Sequence, residues 1–134
     1  MFFTSYFGNI RNIPDCLVPI SISGKAPEWY KGLEFKKFAP SWDIFSDWKY
    51  NHHDNNIYTM RFGKERLAIL NPDETIFEIL QLTKGKDACF LCYERPGEFC
   101  HRHLVADWLT KNQCTTMELN KQTITLMNVF PTRD

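Results

Sequence analysis

Residues 88–92, Ala-Cys-Phe-Leu-Cys, are apolar at every position. A strand with one wet face alternates apolar and polar side chains, so an unbroken apolar strand needs cover on both faces. Sheets covered on both faces are mostly parallel, because crossover helices both connect parallel strands and pack against them. This one segment predicts an α/β sandwich with a partly parallel sheet and helices on both faces.

The flanking sequence supplies the other elements. Residues 2–4 and 17–22 are rich in aromatic and β-branched side chains and read as short strands. The second is closed by a Ser-Gly-Lys-Ala-Pro loop. Ser41 can cap a short helix that carries Trp42, Phe45 and Trp48 on one aromatic face. A further helix is expected over residues 55–70, weakened at Gly63. Asn71, Pro72, Asp73 and Glu74 form a well-signalled helix start, after which Ile76, Phe77, Leu80 and Thr83 should line one face. Residues 99–111 form an amphipathic helix with Leu104, Val105, Trp108 and Leu109 inward. Residues 114–119 and 123–129 alternate and read as edge strands.

With 134 residues, the chain is expected to form one domain over residues 1–134, since a second core would be too small. Its 16 basic and 16 acidic side chains cancel, so no global field gathers polyanions or membrane surface. The longest apolar run, Ala88 to Tyr93, is far short of the ~20 residues of a spanning helix. Residues 1–12 lack the basic start and apolar stretch of a signal peptide. Five cysteines without regular spacing argue against a disulfide framework and for reduced thiols. A cytoplasmic setting is therefore expected.

The chemistry concentrates in residues 92–102, which join the carboxyl end of the buried strand to a helix amino terminus. Ligands of open α/β sheets bind beyond the strand carboxyl ends, and helix amino ends attract anions. At ~100° per residue, His101 lies at the centre of the helix's apolar face and Arg102 at its edge. His103 points to the opposite side, as a surface histidine. His101 is either a core histidine bonded to a neighbouring carbonyl or a site residue at the crevice rim. Cys100, beside Arg102 at the helix start, has the setting of a lowered thiol pKa and suits a nucleophile; it equally suits a small residue closing a tight turn. Cys92 can face it across the loop, and Glu94 can serve as acid or base or pair with Arg102. Cys89 and Cys92 point to opposite faces of one strand and cannot share a metal. Cys92, Cys100 and His101 match no recognised zinc finger, and neither metal nor cofactor is expected. There is no Walker loop or Gly-x-Gly-x-x-Gly.

The stretch CFLCYERPGEFCHRHLVADWL, an apolar strand ending in Cys, a short acidic loop and Cys-His-Arg opening a helix, resembles the uncharacterised family known as domain of unknown function 488. FFTSYFG, VPISISGKAPEWYKG and the aromatic region through Trp42 extend the resemblance over roughly residues 1–119, leaving 119–134 as an edge strand or tail. It implies a Rossmann-like fold with the Cys-His-Arg helix beside the carboxyl edge of the sheet. Many relatives carry Asp-Val-Arg at the end of the second strand. This chain has Pro19-Ile-Ser21 and Ser23-Gly24-Lys25 there, so that Lys25 would replace the arginine as a point charge.

Two classes of function follow as expectations. In the first, a phosphorylated or nucleotide-like small molecule sits at the carboxyl edge, held by Arg102, Cys92, Ser21, Ser23 and Lys25, with Tyr6 or Trp29 stacking on a base. Cys100, His101 and Glu94 would be the catalytic groups of a small enzyme; without turnover the pocket would sequester its ligand. In the second, residues 25–50 form a nucleic-acid or protein interaction surface of alternating lysines and aromatics. Acidic residues leave that window with little net charge, and core packing explains most of the aromatics more simply.

Overall fold

The computed structural model describes residues 1–129. Its centre is a five-stranded, all-parallel sheet of order β3-β2-β4-β1-β5. The strands are β1 (Phe2–Tyr6), β2 (Leu17–Ser21), β3 (Leu33–Glu34), β4 (Asp87–Cys92) and β5 (Thr116–Glu118). The helices are α1 (Trp42–Ser46), α2 (Asn55–Phe62), α3 (Pro72–Leu82), α4 (His101–Lys111) and α5 (Lys121–Val129). The sheet is thus parallel throughout, beyond the partial expectation, and the arrangement is Rossmann-like.

The apolar strand β4 occupies the middle, paired with β1 on one side and β2 on the other. Its side chains divide between two cores. Ala88 and Phe90 pack with Ile20, Phe38, Phe62, Ile79, Val105 and Leu109, under α2, α3 and α4. Cys89 and Leu91 pack with Phe3, Phe7, Leu17 and Tyr30, partly covered by Ile124 and Met127 of α5. No described helix is long and apolar enough to cross a membrane.

Three expectations change. Residues 123–129 lie in a helix rather than a strand. Asn120 Oδ1 accepts from the Thr123 N–H at 2.8 Å, as a helix cap does, and Ile124 and Met127, three apart, meet the sheet. Of the region expected as tail, residues 130–134 lie outside the described residues. The helix over residues 55–70 is α2 followed at Gly63 by a wider π-helical turn, Gly63–Leu67. On α3 the buried positions are Thr75 and Ile79, while Phe77 is exposed. The sheet's far edge, β3, had no signal of its own: it is two exposed residues bonded to the end of β2.

Connections diverge at the middle of the sheet. From β2 the chain moves outward to β3; from β4 it crosses β1 to reach β5. The gap above the carboxyl ends of β2 and β4 is a topological switch point, where such sheets bind ligands.

Candidate functional site

A cavity of about 670 Å³ opens at that switch point. Its floor is the loop after β2 (Ser23, Gly24, Lys25), the end of β4 (Cys92, Tyr93, Glu94) and the start of α4 (Cys100, His101). Its walls are Trp42, Phe45, Trp48, Tyr58 and Phe99. Lys49 stands on the wall, its Nζ 5.5 Å from the Phe45 ring centre.

Local sequence accounts for the walls. Ser41 Oγ accepts the Ile44 N–H at 3.2 Å and starts α1, so that Trp42 and Phe45 follow at helical spacing. A π-helical segment, Asp47–His52, carries Trp48 onward. The Trp48 indole donates to Asn55 Oδ1 at 2.8 Å and stacks on His53 at 4.3 Å. Phe99 meets Tyr58 edge-on at 5.1 Å. Trp42, 68% exposed, keeps a free face at the rim. Burial pushes the Tyr58 phenol well above its usual range, with the Glu94 carboxylate adding to the shift.

The floor is tied by hydrogen bonds. Lys36 Nζ donates to the Gly24 carbonyl at 2.7 Å, and the Tyr93 hydroxyl donates to the Lys25 carbonyl. The Lys25 ammonium and the Glu94 carboxylate have no hydrogen bond or ion pair among the described residues. His101 is buried, and its Nε2 donates to the Ile22 carbonyl at 2.6 Å. A carbonyl only accepts, so the ring carries its proton on Nε2 and leaves Nδ1 as a lone pair. Burial pushes its pKa down to about 4; the Arg102 and His103 charges act in the same direction, against the Ile22 hydrogen bond. His101 is neutral at pH 7. His101 is thus a satisfied core histidine whose ring also lines the cavity.

Arg102 departs from the expectation of an open anion ligand. It is fully buried behind the cavity floor. Nε and Nη2 grip Glu118 at 3.0 and 2.8 Å, and Nη1 donates to the Glu94 carbonyl at 2.6 Å and to Cys92 Sγ at 3.1 Å. Thr4 Oγ1 also donates to Glu118, at 2.6 Å. The guanidinium is neutralised within the protein and holds β4, β5 and the loop after β4 together.

Cys92 and Cys100 are joined by a disulfide, which replaces the expected free thiols. Cys16, Cys89 and Cys114 are free. Cys100 is therefore no thiolate while the bridge is closed, and a nucleophilic role belongs to the reduced chain. Cys89 faces the opposite core, where burial pushes its thiol up to about 12.

The other expected site residues divide. Ser23, Lys25, Cys92, Glu94, Cys100 and His101 converge on the cavity. Ser21 stands behind it, its Oγ 3.1 Å from Ser23 Oγ. Tyr6 does not line it. Trp29 lies elsewhere, against Phe7 and Tyr30 beside a shallow depression with Val18 and Pro19. His103 is half-buried rather than free on the surface, and burial lowers its pKa. The aromatic walls were not expected to line this cavity, although the Trp42, Phe45, Trp48 spacing had marked a common face. Glu118 had no sequence signal as the partner of Arg102.

Residues 13–113, most of the chain, match the family profile DUF488-N3a, described as the active DUF488-N3 subclade. No curated protein and no solved structure matches the chain.

Proposed function

The chain belongs to the DUF488 family, in the active DUF488-N3 subclade, and from that footing we propose that it binds a phosphorylated, nucleotide-like small molecule in the switch-point cavity. The observation that carries this reading is the aromatic wall over a polar floor at the carboxyl ends of the central strands. A planar base fits against the free face of Trp42, beside Phe45. Phosphate then lies toward Lys25, a floor cation without an ion pair among the described residues, and the amino end of α4, where backbone N–H groups point outward. Arg102 is assigned no contact with the ligand; it fixes the floor from behind.

The family's description as active is in keeping with turnover. Glu94, at the cavity floor and without an ion pair among the described residues, is the group placed to accept or deliver a proton. The interaction surface over residues 25–50 is the weaker reading. Tyr30, Phe35 and Phe38 are buried in the cores, and Lys36 and Lys37 are engaged with Glu34 and Glu78.

The test is a titration of adenosine, adenosine monophosphate and inorganic phosphate, followed by tryptophan fluorescence. Trp42→Ala should weaken the nucleotide by about 5- to 150-fold, as lost base stacking of ~1–3 kcal/mol requires. Lys25→Ala should weaken the monophosphate and leave adenosine unchanged. If adenosine and adenosine monophosphate both fail to bind at millimolar concentration, the reading falls.

A further inference from the structure

We propose that Cys92, Cys100 and His101 form a metal site in the reduced chain, taking a tetrahedral, thiol-seeking divalent cation such as Zn2+. Their ligand atoms lie within 4.8 Å of one another, and all three residues line the cavity.

The geometry of each ligand fits the role. His101 Nδ1 is the nitrogen near sulfur, 3.9 Å from Cys100 Sγ, and it presents a lone pair because Nε2 donates to the Ile22 carbonyl. A metal-bound histidine is held in this way, its second nitrogen donating to a carbonyl or carboxylate that fixes ring and tautomer. Arg102 Nη1, 3.1 Å from Cys92 Sγ, can donate to a thiolate there. Cys100 is the N-cap residue immediately before α4, and the amino end of a helix favours a thiolate. The Cα atoms of the two cysteines are 7.4 Å apart. Two thiolates each about 2.3 Å from a shared zinc ion span that separation.

Three protein ligands leave one tetrahedral position. The uncovered side of the triad is the cavity, so the fourth position opens onto it. Two sulfurs, one histidine and an open position make the ligand set of a catalytic zinc rather than a closed structural one. Glu94 shares the same cavity floor. The proposal goes beyond nucleotide binding and does not depend on it, because the metal is tested alone.

The disulfide must first be opened. One sulfur of an external dithiol attacks the bridge to give a mixed disulfide; its second sulfur then displaces the chain. The dithiol leaves as its own disulfide, having supplied two electrons and two protons, and Cys92 and Cys100 become thiols. Metal binding releases those thiol protons to solvent.

The experiment titrates Co2+ alone into the whole protein, reduced with a dithiol and then freed of metal and excess reductant under inert gas. We expect saturation at a single equivalent, with a thiolate-to-cobalt charge-transfer band in the near ultraviolet and the intense visible bands of tetrahedral cobalt. One equivalent of Zn2+ should displace both. The oxidised protein and Cys100→Ser should give neither band, whereas Cys16→Ser, on the other face of the sheet, should give both. X-ray absorption of the zinc form should show two sulfurs and at least one imidazole. The proposal is overturned by a reduced protein without cobalt bands, by bands that survive Cys100→Ser, by a four-sulfur shell, or by loss of the circular dichroism of the fold on reduction.

Discussion

Arg102 is the residue on which the site's rigidity turns. A guanidinium with no exposed surface is stable only when its charge and N–H groups are met, and here Glu118, the Glu94 carbonyl and Cys92 Sγ meet them. A buried pair of this kind need not stabilise the fold relative to an apolar pair, but removing one partner leaves an uncompensated charge. Glu118→Ala should therefore lower the free energy of unfolding in urea by about 3–5 kcal/mol. The double variant Arg102→Met, Glu118→Met should recover much of that loss. A single substitution costing under about 1 kcal/mol would show that water already reaches the pair.

At the level of elements, the ends of helices set where the cavity residues stand. Ser41 starts α1 and so places Trp42 and Phe45 at the rim, while Cys100, which caps α4 with no side-chain hydrogen bond, is left to the bridge with Cys92. Asn71 does the ordinary work of a cap for α3, its Oδ1 accepting the Glu74 N–H at 3.0 Å. Asn71→Ala should lower the melting midpoint in a thermal scan, at a cost of about 1 kcal/mol, and leave ligand or metal binding unchanged. Asn71→Asp should restore the midpoint. The tail shows the opposite balance between local pattern and cap. Thr123, Ile124 and Thr125 are β-branched and alternate like a strand, yet the Asn120 cap and the Ile124 and Met127 contacts make α5 a helix. Asn120, with Thr123 three positions on, is the sequence signal that the alternation of residues 123–129 obscures.

For the whole molecule, the central position of β4 ties the two cores to the site. Phe90 meets Phe2 at 5.7 Å and Phe38 at 5.5 Å, and it is wholly buried. Phe90→Ala should cost about 3–5 kcal/mol in chemical denaturation, as truncation of a buried aromatic does. A cost below about 1 kcal/mol would mean that this core collapses to fill the space.

What the sequence by itself determined follows from short-range rules: an apolar run that needs cover on both faces, caps that start α1 and α3, and a Cys-His-Arg segment between a strand end and a helix start. Those rules placed β4, α4 and the floor residues Cys92, Glu94, Cys100 and His101 together, because they lie within a few residues of one another along the chain. Only the tertiary structure decided the rest. Glu118 reaches Arg102 from β5, the aromatic walls come from α1, the π-helical segment after it, α2 and the loop before α4, and the Ile22 carbonyl that orients His101 is 79 positions away. A single sequence records which side chains need partners; the choice of partner is made by the order in which strands enter the sheet. That order turned Arg102 from a free anion ligand into a buried strut and left the cavity to Lys25, Glu94 and the rings around them.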